Sequence, residues 1–492
     1  MRSAQVAQIT PSFRVLSECQ LDDIHDASVE ILSRTGVRVY SEEAIGLFRR
    51  AGAFVDDGNL VRVPARLIDW AVRCAPHSIT IFNQRAEAAM HLGRRRTYFG
   101  TGSDTLNVID PVSGERRPAV LADVADFARV CDALAHVDFV MSMGVASDLD
   151  QALAELHHFY AMVSNTVKPV VYTATTIHAA KRIVEMAEVI AGGRDAFRQR
   201  PFGVLYIEPI SPLSFAPEPM AKLLFAAEQG IPSVFMSGMM SGATGPVTLA
   251  GSLALANAES LGGVLIAQLK REGAPVISGG GILTTDMATG GPSYGAPEFM
   301  LSAAAIAEVA RHYGLPSWGY AGCSDAKVFD EQAAADAAQW VLMSALAGSN
   351  LVHDVGYLES GLTSSFEMLV FCDEMIGKTK HILRGIHVDE DALALEAVNR
   401  VGPGGQFLGD EHTVKHFRSN WFPMLEDRTS YGDWVESGRR PMRDRVNAKA
   451  RRILAEHRPL CLDSDIDTAL QRLLSKTTVK AGEEPSSLSK GG

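Results

Sequence analysis

Eight short apolar runs alternate with amphipathic stretches through the middle of this chain, and that alternation constrains its fold more than any other feature. The runs occupy residues 97–101, 139–145, 169–173, 202–208, 233–237, 275–279, 317–323 and 350–354. Each is continuously apolar, as expected of parallel strands covered on both faces. Following them, residues 121–134, 152–163, 179–190, 219–229, 248–272, 297–313, 330–347 and 364–376 repeat apolar residues at helical spacing. In the first of these stretches Val124, Phe127, Cys131 and Leu134 make one face. Eight such units predict an α/β fold, a closed (β/α)8 TIM barrel. A doubly wound open sheet is the rival, because one misassigned strand would change the count.

The flanks carry other patterns. Helices are expected at 20–36, 42–51 and 64–75, and 107–114 reads as a small hairpin. The predicted organisation is an N-terminal α/β extension over 1–95, the barrel over 96–384 and a C-terminal helical extension over 385–476. A Ser/Gly/Lys/Glu-rich stretch, 477–492, is expected to be disordered.

Charge narrows the partners. A net charge of −12 argues against a nucleic-acid or anionic-membrane surface. No stretch reads as the roughly 18 to 20 uncharged apolar residues of a spanning helix, and the first residues lack the apolar core of a secretory signal. The six cysteines are scattered without a CxxC pair, the pattern of a reducing compartment. The expected location is the cytoplasm.

A barrel of this class builds its site at the carboxyl ends of its strands. Residues expected there are Tyr98, Asp104, Tyr172, Tyr206, Glu208, Phe235, Gly280, Trp318, Tyr320, Lys327, His353, Asp354, Tyr357 and Glu359. Ring faces attract a cation that has no N–H to donate, at roughly 0.5 to 2 kcal/mol per ring. Any one inward ring is equally explained by packing. His353 beside Asp354, with Glu359 close behind, is the densest polar cluster and the candidate catalytic set, the histidine as a general base or a metal ligand. A neutral structural histidine fits the same position. Lys327 would form a Schiff base only if buried; an ion pair with Asp325 or Asp330 is the simpler reading. The three glycines at 279–281 offer backbone N–H groups to an anion. His412 and His416 would share a helix face, but without HExxH or a cysteine pair no metal site is expected.

Several segments together resemble the trimethylamine methyltransferase family. They are Tyr98-Phe-Gly-Thr-Gly-Ser-Asp104, Gly114-Glu-Arg-Arg-Pro118 and Ser324-Asp-Ala-Lys-Val-Phe-Asp-Glu-Gln332. His353-Asp-Val-Gly-Tyr-Leu-Glu-Ser-Gly361 and Gly402-Pro-Gly-Gly-Gln-Phe-Leu408 with His412-Thr413 belong to the same pattern. The similarity covers most of the chain. It implies a (β/α)8 barrel whose mouth meets a cognate corrinoid protein, so the corrinoid comes with the partner and is not held tightly by this chain. The trimethylamine enzymes carry pyrrolysine near the end of the seventh strand, around residues 323–327 here, whereas this chain has only standard residues. Relatives without pyrrolysine include glycine betaine methyltransferases, so the resemblance implies a quaternary amine substrate.

Under that resemblance Tyr98, Tyr172, Tyr206, Trp318, Tyr320 and Tyr357 would cage the cation, with His353, Asp354 and Glu359 as a polar rim. The glycines 279–281, His353 and Lys327 are the candidates to hold a substrate carboxylate. Two other readings stand beside it. One is a lyase or isomerase working through Lys327 or the His353/Asp354 pair, and the other a non-catalytic quaternary-amine binder. An apolar C-terminal helical region is compatible with a homodimer.

Overall fold

The computed structural model describes residues 10–460 and 462–481. Its centre is a ring of parallel strands: β1 (Tyr98–Phe99), β2 (residues 139–140), β3 (Val170–Tyr172), β4 (Gly203–Ile207), β5 (Ser233–Ser241), β6 (Val276–Thr285), β7 (Ser317–Tyr320) and β8 (Leu351–His353). Strands β3 to β8 pair in sequence and β8 pairs with β1. β2 is joined through single bridges, Gly100 to Phe139 and Val140 to Val170, which close the ring. Closure rules out the open-sheet rival. Every predicted run holds one strand, and β5 and β6 extend beyond the predicted ends to Ser241 and Thr285.

The outer layer is α1 (Leu121–Ala133), α2 (Gln151–Asn165), α3 (Ile177–Ala191), α4 (Pro217–Gln229), α5 (Leu249–Lys270), α6 (Pro297–His312), α7 (Glu331–Ala347) and α8 (Phe366–Ile382). Local chemistry sets their ends. The Asp330 side chain accepts from the Ala333 N–H to start α7, and Ser365 accepts from the Met368 N–H to start α8. Left-handed Gly192, Gly230 and Gly348 stop α3, α4 and α7.

Helix α5 corrects one expectation. Its 22 residues are long and apolar enough to cross a membrane by length and composition, with mean hydropathy 1.4. Yet 83% of that window is buried inside the protein. The helix is apolar all round because it is covered on both sides, by β5 and β6 within and by the N-terminal helices Glu18–Glu30 and Ala65–Cys74 without.

The flanking segments wrap the barrel. Strand Val37–Val39 pairs in parallel with Ser214–Phe215 in the loop after β4. Helix Met442–Glu456 packs on α8 and α1, and helix Ser464–Ala481 on α2 and α3. That last helix carries order through 477–481, where disorder was expected; residues 482–492 lie outside the described residues. The five described cysteines are free, and Cys461 lies outside the described residues. At the barrel mouth, Asn107–Ile109 pairs with Arg116–Pro118 as the predicted hairpin and joins Thr363–Ser365 and Tyr357–Leu358 in a small sheet. This sheet ties the chain leaving β1 to the chain leaving β8.

Candidate active site

Strand parity decides which side chains enter the barrel, because successive residues point to opposite faces. Trp318 and Tyr320 on β7 point inward and meet His353 of β8, with ring centroids 4.5 and 4.4 Å from the imidazole. Tyr206 of β4 completes the group, 5.4 Å from Trp318 and 6.1 Å from His353. The glycines of β6 make room for these rings. A Cβ at Gly279 would lie 2.8 Å from Trp318 Cβ, and one at Gly281 would run into the Tyr320 ring. Their backbone groups face β5 and β7 in register. The glycine run therefore seats aromatic rings instead of cradling an anion.

The same parity sends other expected residues outward. Tyr172 lies edge-on to Phe159 of α2, in the layer between strands and helices. Phe235 packs on Phe215 and closes over Gly263 of α5. A Cβ at Gly280 would face Ile306 of α6 and Ala256 of α5. Tyr98 sits at the amino end of β1, the opposite end of the barrel, where its hydroxyl accepts from the His91 N–H at 3.0 Å. None of these four reaches the mouth.

Two further members of the expected set lie at the rim with other partners. Lys327 is exposed and its Nζ donates to the Asp325 carbonyl at 2.7 Å. It lacks the burial that a Schiff-base amine needs. Glu359 accepts from Arg116 Nε at 2.7 Å and from the Thr363 hydroxyl at 2.5 Å. Burial would raise its carboxyl, but the bonds from Thr363 and Arg116 hold it below the usual range. Glu359 thus braces the small sheet and stands apart from His353.

The remaining polar residues converge above the rings. The Tyr206 hydroxyl donates to Glu208. Glu208 is exposed at the mouth, where a Cβ on Gly238 of β5 would lie 3.3 Å from its Oε1. Desolvation there, with the charge of Asp104, pushes its carboxyl up to about 7, while the Tyr206 hydroxyl pulls the other way. Across the mouth the Tyr357 hydroxyl donates to Asp104 Oδ1 at 3.0 Å and accepts from the Asp104 N–H at 3.0 Å. Gly102 has to be a glycine: a Cβ there would collide with the Tyr357 hydroxyl and the Asp354 carboxyl.

His353 and Asp354 form a neutral pair. The imidazole Nδ1–H donates to the Gly319 carbonyl at 2.8 Å, which leaves Nε2 as a bare acceptor 3.2 Å from Asp354 Oδ1. Burial pushes the His353 imidazole down to about 3 and the Asp354 carboxyl well above its ordinary value, helped there by Asp104 and Glu208. The single proton between them then belongs to Asp354, whose Oδ1 lies beside the bare Nε2. Asp354 holds this position with φ +72°, a left-handed conformation that turns the chain at the end of β8.

Two residues of the mouth escape the sequence reading. Tyr294 arrives from the loop after β6, close enough to Asp354 and Asp104 for both to push its hydroxyl up behind the effect of burial. Asp325 fixes that loop, accepting from the Ser293 hydroxyl at 2.6 Å, the Tyr294 N–H at 2.7 Å and the Gly295 N–H at 3.0 Å. Met236 of β5 offers its sulfur to the Tyr206 hydroxyl at 3.2 Å. The only signal for Tyr294 is the Gly/Pro/Ser-rich segment Gly290-Gly-Pro-Ser-Tyr-Gly-Ala-Pro297. His412 and His416 stack at 4.4 Å within the C-terminal extension, where His416 Nε2 lies 3.1 Å from Asp391.

Known proteins share this architecture. The sequence model of the family "Trimethylamine methyltransferase (MTTB)" matches residues 1–482. A "Trimethylamine methyltransferase MttB" of Desulfitobacterium hafniense (strain DSM 10664 / DCB-2) is 32% identical over 467 residues, covering 95% of this chain and 94% of that protein. A "Glycine betaine methyltransferase" of Desulfitobacterium hafniense (strain Y51) is 32% identical over 484 residues, covering 97% and 100%. Among solved structures, the Methanosarcina barkeri monomethylamine methyltransferase (MtmB) superposes with TM-score 0.50 at 12% identity, covering 90% of this chain and 93% of that one, a likeness of fold. The chain belongs to the trimethylamine methyltransferase family and is a methyltransferase.

Proposed function

We propose that this enzyme takes a methyl group from a quaternary amine and gives it to the reduced cobalt of a corrinoid presented at the barrel mouth by a separate protein. The observation that carries the reading is the aromatic floor of Tyr206, Trp318, Tyr320 and His353 beneath the carboxyls of Asp104 and Glu208. A methylated ammonium has no N–H, so ring faces and nearby negative charge are what attract it. The relative from strain Y51, named a glycine betaine methyltransferase, supports a quaternary donor.

The corrinoid serves as the second substrate, supplying a two-electron nucleophile. The C–N bond breaks, its electron pair stays on nitrogen, and a neutral tertiary amine leaves with no proton required. The chain's own work is to bind, orient and desolvate the donor. A neutral His353–Asp354 pair suits a reaction that calls for neither a general acid nor a general base. Reduced cobalt persists only in a reducing compartment, so a cytoplasmic location is part of the proposal.

The test mixes the purified chain, a Co(I) corrinoid and a panel of quaternary amines, and follows the cobalt absorption spectrum. Methyl-cobalt formation with at least one of them is expected. A spectrum unchanged with every quaternary amine would sink the reading.

A further inference from the structure

We infer that the mouth selects a methylated quaternary ammonium that carries no carboxylate of its own, a choline-like alcohol or a plain tetraalkylammonium, over a betaine. The inference rests on the methyl-donor reading above and narrows it.

The charges at the mouth have one sign: Asp104 and Glu208 border it, with the neutral Asp354 carboxyl behind them. Of the groups that act on Glu208 and Asp354, the one cation is Lys222, whose Nζ is already given to the Ala174 carbonyl. The groups expected to receive a substrate carboxylate are not available. Gly280 faces the helix layer and Lys327 donates to Asp325; Arg116, which was not among them, is paired with Glu359. His353 offers no N–H to the mouth, because the one N–H of its neutral ring, on Nδ1, is bonded to Gly319.

The hydrogen-bond donors left in the wall are neutral. Trp318 Nε1 is buried and has no partner among the described residues, and the Tyr320 hydroxyl makes only a long contact, 3.5 Å, to the Met236 sulfur. One neutral donor satisfies a hydroxyl. A carboxylate leaving water needs a cation or several donors, and here it would lie among acids. A like charge a few ångströms away at such a mouth weakens binding by on the order of tenfold.

The experiment titrates the full-length protein at pH 8 with choline, tetramethylammonium and glycine betaine by calorimetry. Choline or tetramethylammonium is expected to bind about tenfold or more tightly than glycine betaine. Asp104→Asn, an exposed position, should narrow that ratio about threefold by removing one charge at the rim. Glycine betaine binding as tightly as both competitors would overturn the selectivity while leaving the methyl-donor reading intact. If none of the three bound and none were demethylated, both would fall.

Discussion

Tyr357 and Asp104 clasp each other at both ends. The tyrosine hydroxyl donates to the aspartate side chain at 3.0 Å and accepts from the same residue's backbone N–H at 3.0 Å. The clasp joins the loop after β1 to the turn after β8, and it sets where one carboxyl of the mouth sits. Tyr357→Phe removes both bonds, each worth about 1 kcal/mol. The expected result is a rise of about tenfold in KM for the methyl donor with little change in kcat. Steady-state kinetics beside a melting curve would separate this from a general loss of fold.

Glu208 gives the mouth a titration near neutrality. Its carboxyl, at about 7, is half ionised there, and the ionised form is the one that attracts a cation. Affinity for a quaternary amine should therefore rise with pH through about 7. Tyr206→Phe removes a donor that favours the ionised form, so the midpoint should move upward. Calorimetric titrations from pH 6 to 9 (a window of about three units around the cited value) would reveal both effects.

The His353–Asp354 pair predicts how stability depends on pH. Folded, the pair keeps one proton; unfolded, it keeps one between the ordinary values of 3.8 and 6.5, so that window is flat. Above 6.5 the unfolded chain has released both protons while the folded Asp354 carboxyl, raised by burial, still favours its proton, so stability falls as pH rises. Asp354→Asn keeps the shape of the side chain and removes its titration. Urea unfolding between pH 6.5 and 8.5 should show a steeper decline in the parent than in the variant, where Glu208 still titrates.

Adjacent glycines of β6 should behave oppositely. An alanine Cβ at 281 meets the Tyr320 ring, which is packed on His353 at 4.4 Å and Phe299 at 4.9 Å. Gly281→Ala is expected to cost about 2 kcal/mol and to weaken donor binding. At 280 the nearest atom is the flexible end of Ile306, at 3.1 Å, so Gly280→Ala should change stability by less than about 1 kcal/mol. Equal losses at both positions would contradict the inward and outward assignments.

Asp325 holds the Tyr294 loop through Ser293, Tyr294 and Gly295, and reaches the Ser360 hydroxyl at 2.7 Å as well. Asp325→Ala should release the loop while leaving the barrel strands in place. Hydrogen exchange is expected to quicken in residues 286–296 and to stay slow in β6 and β7.

The barrel was readable from the chain because each strand is a compact apolar run and each helix an amphipathic period, both local patterns. The carboxyl-end rule then collected one neighbourhood, and eight of its members, Asp104, Tyr206, Glu208, Trp318, Tyr320, His353, Asp354 and Tyr357, do meet at the mouth. What the chain could not reveal is which face of each strand turns inward. A run buried on both sides carries no alternation, so Tyr172 and Phe235 looked no different from Tyr206 and Trp318 until the ring closed. The sign of the charge in the mouth was hidden for a similar reason. Lys327, Arg116 and Glu359 lie close in sequence to the site, and only tertiary contacts show that they satisfy one another or the backbone and leave the mouth to Asp104 and Glu208. Sequence periodicity determined the architecture; closure of the barrel, through strand parity and long-range pairing, decided the chemistry at its mouth.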